Sequence, residues 1–135
     1  MNKTLIRSVG AVAAGFVFIG VTHSACDFLM EHFGILPKGN LYVSTALIWV
    51  VIGYRAVLSL AGTVITAALA PHSPLKHALI LGAIGTVLSV IGAVAMADRG
   101  PLWYGWTIAA MALPISYAGA KLLEAWRAKR SDAAV

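Results

Sequence analysis

The sequence predicts an all-α polytopic membrane protein: an antiparallel bundle of four transmembrane helices with both termini cytoplasmic. Three observations predict it. Of 135 residues, 60% are apolar and only 11% charged, whereas soluble domains are about half apolar and about a quarter charged. Residues 78–97 run twenty positions without a charge and residues 102–120 run nineteen; each is long enough to cross ~30 Å of hydrocarbon at ~1.5 Å per residue. Proline and glycine breaks at residues 34–40, 71–74 and 98–101 then divide the chain into four apolar segments.

The first span is expected over residues 8–33. Lys3 and Arg7, the apolar run after Val9 and then Cys26 imitate a lipoprotein signal. His23 stands where such a signal carries leucine, so a retained helix is the expectation. The second span is placed at residues 46–69, with the segment before it an external loop. Pro71-His72-Ser73-Pro74 stops it, since proline lacks an N–H and moves its predecessor out of α geometry. The third span, 77–97, ends at Asp98-Arg99-Gly100-Pro101, and the fourth, 102–123, carries Pro114, expected to kink it. Residues 1–135 are read as a single four-helix transmembrane domain.

Charge sets the orientation. Lys3, Arg7, Lys76, Lys121, Arg127, Lys129 and Arg130 fall on the side holding both termini, against Lys38 and Arg99 on the other. Basic residues are retained in the cytoplasm, which puts both termini inside. Tyr42, Trp49, Trp103, Tyr104 and Trp106 then gather at the outer interface, where amphipathic rings prefer to sit. The net charge of +5 is thereby accounted for without nucleic acid. The single cysteine, Cys26, excludes an intrachain disulfide framework and dithiol redox chemistry.

Lipid is as apolar as leucine, so spans associate through small residues and a few hydrogen bonds. Packing seams are expected at Gly85, Ser89 and Gly92 on span three and at Ala112, Ser116 and Ala120 on span four. Ser59, Gly62, Thr66 and Ala70 on span two, with Ala11 and Gly15 on span one, make further seams.

One polar cluster stands out. At 100° per residue, His23, Cys26, Asp27, Met30 and Glu31 share a face of the first helix. Arg55 lies inside the second span, where a charge at the centre costs at least ~2.5 kcal/mol and so needs a partner. Counted from the span ends, Asp27 lies ~10 Å deep and Arg55 ~14 Å deep, which brings either Asp27 or Glu31 within reach of Arg55. Tyr54, His23 and Ser59 extend the polar stripe. The plainer meaning is an ion pair holding two spans in register; the functional one is a titratable site for proton-coupled or cationic transport.

Catalytic, metal and cofactor sites are not expected. His23, Cys26 and Met30 would suit copper(I) by ligand softness, yet no other span supplies a matching His, Cys or Met. Haem would need a second ligand opposite His23, and His72 and His77 belong to the other side. Five acidic residues leave no paired catalytic carboxylates, and no nucleophile-base pair or phosphate loop is evident. The leading expectation is a non-enzymatic accessory or scaffold protein that contacts lipid and another membrane protein or further copies of itself. The alternative is a small proton- or ion-coupled transporter or channel oligomer using Asp27, Glu31 and Arg55.

Tyr54-Arg55, the run of residues 71–79 leading into Gly82 and Gly85, Gly100-Pro101-Leu102-Trp103-Tyr104, and Leu113-Pro114 together resemble a group of small four-span bacterial integral membrane proteins without an assigned activity. The resemblance implies the four-span architecture and the bacterial inner membrane, and it carries no catalytic residues over.

Overall fold

The structure, a computed structural model, describes residues 2–39 and 44–134. Four helices make up its regular structure: α1 (Lys3–His32), α2 (Thr45–Leu69), α3 (Pro74–Ala95) and α4 (Leu102–Ala133). All four are long and apolar enough to cross a membrane. Tyr42, expected among the interfacial aromatics, lies outside the described residues.

Local chemistry sets the ends. Asn2 starts α1, its Oδ1 accepting from the Thr4 N–H at 3.1 Å. Gly34 stops it: at φ +70° it takes the left-handed conformation that costs a residue with a Cβ about 1–2 kcal/mol. The Gly34 and Ile35 N–H groups then satisfy the carbonyls of Glu31 and Met30 at 3.1 and 2.9 Å, the six-to-one, five-to-two pattern of a Schellman cap. Ser44 caps α2 through its Oγ, 3.2 Å from the Leu47 N–H. Pro74 opens α3 in the first turn, where its missing N–H loses nothing. Ser73 before it holds φ +43° and makes no side-chain cap.

Two helices outrun their expected spans. α1 begins at Lys3 rather than near residue 8, and α4 continues past residue 123 to Ala133. Apolarity bounds only the hydrocarbon-crossing part; Lys, Arg, Glu and Ala are good helix formers and carry the helix onward. In α4 the extension is tied by Lys121 to Glu124 at 2.8 Å and by Arg130 over the Trp126 ring at 4.7 Å.

Small residues bring the backbones together. A Cβ added at Gly15 would lie 2.6 Å from the Gly62 carbonyl, and Thr66 Oγ1 donates to the Ala11 carbonyl at 3.0 Å, so the expected α1–α2 seam is made. Between α3 and α4 the expectation needs correction. Gly92 has open space around an added Cβ and Gly85 only an ordinary 3.7 Å contact with Ala112. The tight positions are Gly82, 2.5 Å from Ser116 Oγ, and Gly105, 2.5 Å from the Ala93 Cβ. The close contact at this end is made by Ala93, and Gly92, a 100° turn away, lines a cleft together with Ser89. At Gly119 of α4 an added Cβ would lie 2.8 Å from Thr63 Cγ2 of α2, so these two helices also approach closely.

Burial is uneven along the bundle. Ala67, Ala78, Ala120 and Leu123 form a closed core with Val64 and Leu75 beside them. Toward the other end Leu36, Ile48, Val51 and Ile52 are buried, and a cleft opens beside them. Among the described residues, α2 and α3 each pack on all three other helices, whereas no Cα of α1 comes within 8 Å of one in α4.

Candidate functional site: a charged cleft at one end of the bundle

α1 and α2 meet in descending order, which decides the polar contacts. Ala11 and Gly15 face Thr66 and Gly62; two turns further along α1, His23 Nε2 lies 3.3 Å from Ser59 Oγ and 3.1 Å from the Arg55 carbonyl oxygen. One turn beyond that, Asp27 is bound twice: the Tyr54 hydroxyl donates to Oδ1 and Arg55 Nη2 to Oδ2. The choice between Asp27 and Glu31 is thereby made for Asp27. Glu31, a turn higher, has passed the register of Arg55 and accepts from the Gly39 N–H at 3.5 Å instead.

Both carboxylate oxygens of Asp27 are used within the chain. The Arg55 and Asp27 side chains are 24% and 34% exposed, so the pair sits in a half-dry environment. Arg55 Nε is buried without a hydrogen-bond partner, although a guanidinium offers five N–H donors and no acceptor. The unmet capacity here is for an acceptor.

His23 and Ser59 touch, which the sequence did not suggest as a nucleophile and base. The carbonyl of Arg55 can only accept, so the 3.1 Å contact requires a proton on His23 Nε2. In that tautomer Nε2 has no lone pair with which to take a proton from Ser59. The same contact turns the imidazole toward α2 rather than toward a ligand shared with Cys26 and Met30. His72, in the turn between α2 and α3, meets His77 of the first turn of α3 edge-on, ring centroids 5.2 Å apart.

Arg55 and Asp27 form the floor of a cleft of about 400 Å³. All four helices contribute to it: Asp27 and Glu31 from α1, Arg55 from α2, Ser89, Gly92 and Ala93 from α3, and Tyr104, Gly105 and Ile108 from α4. The segments after α1 and α3 frame the mouth with Leu36, Pro37 and Arg99. Volume and lining fall in the range of small-molecule sites.

No protein-family model, curated protein or solved structure matches this chain. The site therefore stands on its own geometry.

Of the residues expected in the polar cluster, His23, Asp27, Tyr54, Arg55 and Ser59 come together, and Glu31 joins them at the cleft. Ser89 and Gly92, assigned to packing, line that cleft; Ala112, Ser116 and Ala120 remain on the packed side, the last two buried. Sequence reasoning missed Tyr104 and Arg99. Their signal was positional, since both flank the turn into α4 at the depth reached by the end of α1. The expected aromatic cluster is represented by Trp49 against Trp103, ring centroids 5.4 Å apart.

Proposed function

We propose that this chain is a non-enzymatic multi-pass protein of the bacterial inner membrane that takes a small solute into the cleft, as a small transporter does. The observation that carries this is the cleft itself, a cavity of about 400 Å³ whose floor is an arginine and an aspartate. Intramembrane ionisable groups facing a cavity mark solute and ion paths. In this proposal the bundle is antiparallel, which the descending α1–α2 register and the meeting of the two connections at one mouth support. Both termini are cytoplasmic, on the strength of the Lys and Arg count, and the cleft opens outward. The likeness to small four-span bacterial membrane proteins supports the inner-membrane assignment.

The test is access. In a Cys26→Ser background, Ser89→Cys should react from outside intact cells with a charged, membrane-impermeant thiol reagent. Absence of labelling at position 89, with Ala97→Cys at the mouth labelled, would refute the proposal.

A second reading, an accessory protein of a larger membrane assembly or of a homo-oligomer, draws support from Asp27. An acid whose two oxygens are consumed by Tyr54 and Arg55 is built as a clasp between helices. Co-purification of a stoichiometric partner in mild detergent would favour that reading.

A further inference from the structure

Resting on the cleft reading above, we propose that the occupant is a monoanionic amphiphile: one carboxylate or phosphate head on an apolar chain. The charge of Asp27 is already offset by Arg55, and both its oxygens accept from within the chain, which disfavours a cation beside it. What the floor offers is donors. Arg55 reaches the cleft with a guanidinium that donates to Asp27 through Nη2, and Tyr104, also in the cleft wall, has a hydroxyl that makes no hydrogen bond among the described residues. At the mouth stands Arg99, which forms no ion pair among the described residues. Guanidinium groups match carboxylate and phosphate oxygens in a planar fork.

Charge sets the valence of the head. Asp27 is paired with Arg55, and Glu31 and Arg99 both belong to the lining, so the lining charges sum to zero and recognition comes from the direction of the donors and not from net positive charge. That suits one negative charge better than two. The walls set the body: Leu88, Ala93, Met96, Leu102 and Ile108 present hydrocarbon, and a chain laid on them leaves water as it enters. Leu102, Tyr104 and Gly105 of the lining are the sequence neighbours of Trp103 and Trp106, residues of the kind that collect at the membrane interface, where amphiphiles partition.

The experiment is equilibrium binding of tritiated octanoate to the full chain in phosphatidylcholine nanodiscs at about pH 5.5, where octyl phosphate, whose second pKa is ~6, carries about one negative charge, with empty discs as the blank. Saturable binding is expected, displaced by octyl phosphate and not by octylamine or octanol. Arg99→Gln should weaken it about fivefold, as for one partly exposed charge contact. Glu31→Gln should tighten it by a similar factor, and Ile108→Trp, which fills the cleft, should abolish it. Octylamine displacing as well as octyl phosphate, octanol displacing equally, or no binding above the blank would each overturn the proposal. If binding is absent while Ser89→Cys is labelled from outside, the ligand class is wrong and the cleft reading survives; if position 89 is not labelled, the cleft reading has failed first. Loss of octanoate binding in discs containing phosphatidylglycerol assigns the head to a bilayer lipid, and retention assigns it to a free amphiphile; both support the same head chemistry.

Discussion

Removing one member of the Asp27–Arg55 pair should destabilise the protein more than removing both would lead one to expect by addition. Breaking a fully buried pair costs about 3–5 kcal/mol, mostly from the charge left behind. Here the side chains are 24% and 34% exposed, so water relieves about a third of that penalty, leaving ~2–3 kcal/mol for either single change. Asp27→Leu also strands the Tyr54 hydroxyl, which adds ~1 kcal/mol. Arg55→Leu leaves Asp27 with that hydroxyl still bound and should be the milder. In Arg55→Leu with Asp27→Leu, no charge is left uncompensated. The double loss should be ~2 kcal/mol, well short of the ~5–7 kcal/mol that the singles would sum to. Equilibrium unfolding in mixed detergent micelles measures all three, with Glu31→Leu as a control expected to show no coupling to Arg55. Losses that add to within about 0.5 kcal/mol would refute the clasp, as would stronger coupling of Arg55 to Glu31 than to Asp27.

Gly82→Ala should cost ~1–3 kcal/mol by overpacking against Ser116, whereas Gly92→Ala, with open space around it, should be neutral or stabilising by up to ~1 kcal/mol through helix propensity; thermal unfolding in detergent separates them. Ser73→Gly should raise stability by ~1 kcal/mol, because it relieves a left-handed residue whose side chain makes no cap; an unchanged midpoint would show that Ser73 is not strained. In a Cys26→Ser background, an impermeant thiol reagent added to intact cells should modify Lys38→Cys and spare Ser131→Cys, and the reverse would overturn the charge-based orientation.

The fold class was legible because two signals agree: uncharged runs of bilayer length and breaks rich in proline and glycine between them. The α1–α2 contact was legible too. Ala11, Gly15, His23 and Asp27 lie on one ladder of four-residue steps, with Ile19 between Gly15 and His23, and Gly62, Ser59 and Arg55 answer them, so two helices meeting in register had to pair these groups. Composition could not select Asp27 over Glu31, since both share the helix face and the choice depends on how far α2 is shifted along α1. The α3–α4 seam misled for a related reason. Gly85, Ser89 and Gly92 make a regular stripe, but the close approaches to α4 fall at Gly82 and at Ala93 instead. Periodicity reports a face, and the crossing angle decides which part of that face is covered. The ends of α1 and α4 were hidden because a helix continues into water wherever its residues favour it, without regard to where lipid stops.

The unequal closure of the two halves has a consequence for the membrane as an electrical barrier. Where Ala67, Ala78, Ala120 and Leu123 meet, and where Gly15, Gly62, Gly82 and Gly119 leave no room for a methyl group, no file of water can pass. The cleft is thus a blind well, and a bilayer carrying the protein in this form should hold its potential. Ions would leak only if the glycine contacts parted together, and close packing resists such partial opening because each contact is lost over a fraction of an ångström. Permeation through this chain would accordingly be rare and all-or-none, rather than a continuous trickle.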